Sequence, residues 1–257
     1  MSVGGAPPRY QVLGVHISAI NMEMALGEIT DWIEEGRQNY VCVTGVHGVM
    51  EAQRDEALRL IHNRSGLTTP DGMPMVWAAH WAGFPEVERV YGPDLMLALS
   101  ERAAQRGWRC FLYGAKDGVA DRVAARLVRE SPGLSIVGTL SPPFRELTAA
   151  EDTAVIERIN TANPDIVWVG LSTPKQERWM ASHCGRLDAP VLIGVGAAFD
   201  IHAGVVPQAP RIIQRSGFEW LFRLGTDPRR LARRYLSNNP RFVTRVLRDR
   251  PRRVESL

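Results

Sequence analysis

The chain has 257 residues, 45% hydrophobic and 23% charged, with a net charge of +3. That balance points to a globular protein with a sizeable core. No apolar run approaches ~18 residues, which excludes a membrane-spanning helix, and the first fifteen residues lack a basic segment followed by an apolar core, so no secretory leader is expected.

Strand-like and helix-like segments then alternate. Residues 12–20 read as a strand or hairpin, and 22–35 as an amphipathic helix with Met24, Ile29 and Trp32 as its apolar points. A strand at 40–44 precedes one helix at 48–63. Helices follow at 73–82 and 93–106, the second closed by Gly107. After a strand at 108–113, the helix at 117–130 turns Val119, Val123, Ala124 and Leu127 inward. A strand at 134–140 leads to a helix at 148–160, opened by Thr148 and Glu151 at capping-box spacing. Buried strands at 165–170 and 191–195 complete the rhythm, which predicts an α/β, Rossmann-like fold with a mostly parallel sheet flanked by helices.

After Gly217 only helices are expected. One runs over 217–225. A second starts at Asp227 and Pro228, reaches about 237, is interrupted at Asn239-Pro240 and resumes toward Arg248. Arg229 with Arg233, and Arg230 with Arg234, stand at i,i+4 spacing, with Leu231, Tyr235 and Leu236 facing the body. From Arg211 onward there are 13 arginines against 4 acids, while the rest of the chain holds 18 basic and 24 acidic residues. A body of one sign with a tail of the other points to an anionic partner for the tail. Three widely spaced cysteines, Cys42, Cys110 and Cys184, read as buried free thiols in a reducing, cytosolic compartment.

The densest polar cluster is Ser172, Thr173, Lys175, Gln176, Glu177 and Arg178, read as a loop beyond the strand at 165–170. Ligands of open α/β sheets bind there. Phe111 to Gly118 is a strand followed by a glycine loop whose N–H groups could cradle a phosphate. Asp71-Gly72 sits at a strand-to-helix turn, where Asp71, taken alone, reads as a helix cap. Gly194-Val195-Gly196 looks like a dinucleotide fingerprint, but Phe199 stands at the third glycine position, so no NAD and no other cofactor is expected. There is no Asp-x-Asp pair for a divalent metal, no GxxxxGK[ST] loop, no zinc spacing and no GxSxG elbow. A bound diphosphate would have to be neutralised by arginine and backbone amides.

Together these motifs resemble the WecG/TagA/CpsF bacterial glycosyltransferases. The likeness rests on Asp71-Gly72, Glu88-Arg89 with Gly92 and Asp94, the 111–118 loop, Pro174-Lys175-Gln176-Glu177, Gly194 to Asp200 with Gly204, residues 218–223, and Pro228 with Arg233-Arg234-Tyr235. It covers nearly the whole chain. Three places depart from the family pattern: Val46 stands where the family has Asn, Ser172-Thr173 replaces Gly-Ala, and Gln208 replaces the Arg of Arg-Ala-Pro.

The resemblance implies an inverting, metal-independent transfer of a sugar of the N-acetylmannosamine, uronic acid or hexose type. The donor would be a UDP-sugar and the acceptor a polyprenyl-diphosphate-linked saccharide at the inner face of the cell membrane, in surface polysaccharide or wall polymer synthesis. It places the base on Asp71, with Arg89 as the other catalytic residue. Substrate binding falls to Thr44, His47, Asp94, Gly114, Lys175, Gln176, Glu177, Gly194, Gly196 and Asp200. Arg223, Arg230, Arg233 and Arg234 would meet the acceptor diphosphate. Residues 1–210 would form the catalytic domain and 211–257 a membrane-associating appendage. No nucleic-acid partner is expected, and a homo-oligomer is left open. Two other readings compete: an impaired scaffold that binds membrane surfaces, and a nucleotide-sugar epimerase.

Overall fold

The computed structural model describes residues 6–254. A hairpin comes first, β1 (Arg9–Val12) and β2 (Val15–Ser18), then α1 (Met22–Glu34) and β3 (Asn39–Thr44). Two short helices, α2 (Val46–Ala52) and α3 (Glu56–Arg64), lead to β4 (Leu67–Pro70), α4 (Met73–Trp81) and α5 (Gly92–Arg106). Strands and helices then alternate as β5 (Arg109–Gly114), α6 (Val119–Glu130), β6 (Ser135–Leu140), α7 (Ala149–Ala162), β7 (Ile166–Gly170), α8 (Lys175–His183) and β8 (Val191–Gly194). The chain ends with α9 (Ala198–His202), α10 (Arg211–Ser216), α11 (Glu219–Thr226), α12 (Pro228–Arg248) and β9 (Arg252–Arg253).

The expected α/β class is present. Six strands order as β4-β3-β8-β7-β5-β6, and a second sheet orders as β2-β1-β9. The pairs β5–β6, β5–β7 and β7–β8 are parallel, with Phe111 opposite Val167 and Val167 opposite Leu192. Every residue of β7 is buried, as its unbroken apolar run requires of a strand covered on both faces. No helix among the described residues is long and apolar enough to cross a membrane.

Contacts divide the chain into two compact units: Met1–Ala25, Cys42–Tyr91 and Pro207–Leu257 form one, and Leu26–Val41 with Gly92–Val206 the other. The first unit is built on the β1–β2 hairpin, whose two-residue turn has positive φ at both Leu13 (52°) and Gly14 (80°). That geometry matches the twist of the flanking strands. Tyr10, Val12, Val15 and Ile17 pack with Val49, Met50, Leu58 and Met75, and with Phe242 and Val246 from α12. The Tyr10 hydroxyl donates to the Met75 carbonyl at 2.9 Å. β9 pairs with β1, and Arg253 donates to the Gly83 carbonyl at 2.7 Å. The basic tail is thus woven into the core of this unit. In the second unit α6 buries Val119, Val123 and Leu127, and α7 begins with the expected Thr148–Glu151 capping box.

Local readings change in several places. The helix expected at 48–63 is two, because Asp55 caps a new start by accepting from the Leu58 N–H at 3.0 Å. Pro240 does not interrupt α12, which is continuous over 21 residues; Phe242 and Val246 beyond the proline are buried and hold the helix on course. Leu231 and Tyr235 are buried as expected, but Leu236 is exposed. Lys175 to Arg178 are the first turn of α8, not a loop. Cys42 and Cys110 are buried free thiols, while Cys184 is only half-buried.

Candidate functional site

In the first unit, Asp71 follows the buried strand β4. Its N–H donates to the Thr44 carbonyl at 2.9 Å. The approach is close because residue 45 is glycine: a Cβ there would lie 2.7 Å from the Asp71 carbonyl oxygen. Gly72, at φ 95°, takes the cap position of α4, so the cap reading of Asp71 is lost. Its carboxylate faces Arg89 instead, Oδ1 to Nη2 at 3.8 Å. Arg89 is set there by the next residue, whose N–H donates to the Pro70 carbonyl at 3.0 Å. The guanidinium lies 3.8 Å over the Tyr91 ring. It also donates to the Gln214 carbonyl at 3.3 Å and to the Glu219 carboxylate.

The side chains of Arg89 and Glu219 are only 12% and 13% exposed, against 29% for Asp71. Asp71 is therefore the member of the trio that solvent reaches. Half-buried Arg223, on α11, joins the cluster. Burial works against its charge, and Tyr235, Tyr91, Glu219 and Asp71 outweigh burial, so its pKa is raised. The Tyr91 hydroxyl is pushed up by burial and by the two carboxylates. A part-exposed carboxylate among guanidiniums can take a proton from a neutral hydroxyl and sit beside an anionic leaving group.

Thr44 turns its side chain inward, 3.3 Å from His62 Nδ1 and 3.5 Å from the Cys42 carbonyl, and serves Asp71 through its backbone. His47 and Glu51 lie on α2, and Arg54 follows just beyond its end. Together with Arg233, Arg234, Ser237, Asn238 and Arg241 of α12 they line a cavity of about 520 Å³. His47 Nδ1 is 3.7 Å from Glu51 and 3.5 Å from Asn238 Nδ2. The tail arginines therefore separate: Arg223 faces the Asp71 cluster, Arg233 and Arg234 line the cavity, and the side chain of Arg230 lies outside the described residues. Tyr91, Gln214 and Glu219 were not foreseen as site residues. Glu219 meets Arg89 across 130 residues of chain, a distance that leaves no local signal.

The second unit brings Gln176, Glu177, Gly194 and Gly196 together. Glu177 Oε1 accepts from Thr173 Oγ1 at 2.8 Å and from Gln176 Nε2 at 3.1 Å. Burial raises the Glu177 pKa, and the hydrogen bonds from Thr173 and Gln176 oppose the rise. A Cβ at Gly194 would lie 2.6 Å from Met180 Cε, and one at Gly196 3.1 Å from Gln176 Oε1. The two glycines make room for α8. Ser172 has φ 64°, in the region that favours glycine, the residue of the family pattern there.

At the end of β5 a Cβ on Gly114 would lie 2.7 Å from the Gly170 backbone, and the Ala115 N–H already donates to the Gly170 carbonyl at 2.9 Å. That N–H of the expected phosphate cradle is thus engaged. Phe199 packs on Gly170, where a Cβ would lie 2.7 Å from its ring. Lys175 is exposed, with Nζ 5.8 Å over the Phe144 ring. Asp94 is exposed in the first turn of α5, and Asp200 is half-buried on α9. Among the described residues no three or more His, Cys, Asp or Glu side chains gather to hold a metal ion.

The chain matches the model of the Glycosyl transferase WecG/TagA/CpsF family over residues 10–256. It is 29% identical over 219 residues to the N-acetylglucosaminyldiphosphoundecaprenol N-acetyl-beta-D-mannosaminyltransferase of Bacillus spizizenii, covering 85% of this chain and 82% of that protein. Its identity to the protein of the same name from Staphylococcus aureus (strain NCTC 8325) is 27% over 240 residues, covering 93% and 92%.

Proposed function

The chain belongs to the WecG/TagA/CpsF family of glycosyl transferases, and we propose that it moves a sugar from a UDP-sugar to a polyprenyl-diphosphate-linked saccharide. The relatives are named for moving N-acetylmannosamine onto N-acetylglucosaminyldiphosphoundecaprenol, and the same sugar and acceptor class are proposed here. The observation that carries the chemistry is the part-exposed Asp71 carboxylate beside Arg89.

The acceptor hydroxyl oxygen attacks the anomeric carbon while the bond to UDP breaks, and UDP leaves with the bonding pair. Asp71 takes the hydroxyl proton. One displacement inverts the anomeric centre, and no carboxylate nucleophile is needed. Arg89 and Arg223 offset the charge that grows on the diphosphate, the work a metal does elsewhere. On the donor side the reading assigns Gln176 and Glu177 with Asp94, Gly114, Lys175, Gly194, Gly196 and Asp200. Thr44 acts through the carbonyl that holds Asp71. His47, Arg230, Arg233 and Arg234 are assigned to the acceptor diphosphate.

The tail supports a place on the cytoplasmic membrane face. Leu236, Val243 and Leu247 are exposed at i, i+7 and i+11 of α12, with exposed Arg229, Arg233, Arg241, Arg245 and Arg248 on the same helix. An exposed apolar stripe flanked by arginines suits an anionic lipid surface. The test is transfer itself. The protein is given UDP-N-acetylmannosamine and a short-chain polyprenyl-diphosphate-linked N-acetylglucosamine. Free UDP and a disaccharide with inverted anomeric configuration are expected. An epimerised donor with no disaccharide would replace this reading.

A further inference from the structure

Gln176 and Glu177 open α8, and their side chains are almost shut off from solvent, at 3% and 0% exposure. Glu177 Oε1 takes the Gln176 amide N–H, so the amide has a direction. Turned over, it would set its own oxygen against that of the carboxyl group. Gln176 Oε1 therefore points away, toward Gly196, where even a Cβ would come within 3.1 Å. Gln176 Oε1 and Glu177 Oε2 are both buried without a hydrogen-bond partner among the described residues. Buried polar atoms are normally paired, and an orphaned one asks for a missing partner. An orphaned acceptor oxygen repels phosphate oxygens and calls for an N–H or O–H.

We propose that Glu177 is a positioning residue that fixes the polarity of the Gln176 amide, so that Gln176 Oε1 accepts a hydrogen bond from the nucleoside of the donor. The partner is an imide N–H of the base or a hydroxyl of the ribose, not the diphosphate. Thr173 steadies the carboxyl group through its own 2.8 Å bond to Oε1. The inference rests on the proposal that a UDP-sugar is the donor.

UDP binding to the full chain, measured by calorimetry with the melting temperature recorded for each variant, tests it. Gln176→Ala should weaken UDP about tenfold, the scale of one buried hydrogen bond. Glu177→Gln should do the same while keeping its fold, because the new amide can offer an N–H to Gln176 and let it turn over. The donor KM should rise in step, with kcat moving by less than about threefold. Thr173→Val should weaken UDP about threefold, and decides the matter by the same ratio if Glu177→Gln does not fold. N3-methyl-UDP, 2′-deoxy-UDP and 3′-deoxy-UDP separate the sources: the analogue lacking the engaged group loses about tenfold on the wild type and nothing further on Gln176→Ala. A folded Glu177→Gln, or Thr173→Val in its place, that binds UDP as the wild type does overturns the proposal. If Gln176→Ala binds normally while the wild type transfers sugar, the inference fails and the function stands. A wild type that binds no UDP ends both.

Discussion

The polar cluster around Asp71 and the one around Gln176 are built on opposite principles. Around Asp71 the groups carry charge: two carboxylates, Asp71 and Glu219, alternate with Arg89 and Arg223. Around Gln176 one carboxyl group is buried among a hydroxyl and an amide, with acceptor oxygens left over. Preorganised charge is useful where charge moves, and directed hydrogen bonds are useful where a neutral group is recognised. In the proposed reaction the first cluster handles the proton and the leaving group, and the second reads the nucleoside.

That division breaks most visibly at Asp71. Asp71→Asn should cut turnover by about 10²–10⁴-fold, the usual worth of a general base, and leave UDP affinity within about twofold. Gln176→Ala should show the reverse pattern, lost affinity with a small change in turnover at saturating donor. Steady-state kinetics paired with calorimetry would decide, and a swapped or shared pattern would erase the distinction between the clusters.

The next effect lies behind the charged cluster, where one titratable group is kept neutral. His62 is fully buried against Thr44, and burial lowers its pKa from 6.5 to about 4. The folded value lies below the unfolded one, so the unfolded chain takes the proton first. Stability is whole above pH 6.5 and is lost as pH falls toward 4, by on the order of 3 kcal/mol. Urea unfolding of wild type and His62→Leu at pH 7 and pH 4.5 should show a shallower pH slope in the variant. Parallel slopes would mean that His62 is not the group responsible.

How much of this was legible depended on whether the cause was local. The Thr148–Glu151 capping box lies within four residues and was read directly, as was the apolar run of β7. The start of α8 carries no such sign: its cap is Pro174, without a side-chain cap bond, so a helical turn looked like a polar loop. Asp55 offered a cap signal, but the apolar residues on either side read as one helix. At Pro240 a sound local rule lost to the burial of Phe242 and Val246. Gln176 is marked by a polar cluster beyond a buried strand and Asp71 by a strand-to-helix turn, the family motif adding their roles, whereas the pairing of Arg89 with Glu219 and of Gln176 with Gly196 comes from chain closure that no short window contains.

A smaller effect is expected on the outer face of the tail. Removing the tail is a poor test, because Phe242 and Val246 belong to the core and β9 pairs with β1. The combined Leu236→Ser, Val243→Ser and Leu247→Ser variant touches only exposed positions. Binding to anionic liposomes should fall about tenfold, with the melting temperature held. The residual binding, carried by arginine, should be the part that salt removes. Unchanged liposome binding in the triple variant would make the stripe ordinary surface.

The smallest expected effect is none: excess chelator should leave the transfer rate unchanged. The chain has no Asp-x-Asp pair, and among the described residues no cluster of carboxylates, histidines or cysteines is poised for a divalent ion. The Arg89 guanidinium is already beside Asp71, and a fixed cation needs no rearrangement when charge develops on the diphosphate. A rate that collapses with chelator and returns with magnesium would overturn this. The same logic predicts an asymmetry that sharpens the test. In Arg89→Ala the diphosphate loses a fixed cation, so added magnesium, bound by the diphosphate itself, should recover part of the lost turnover, while the wild type gains nothing. Equal stimulation of both would mean that the ion acts elsewhere than at the charge Arg89 carries.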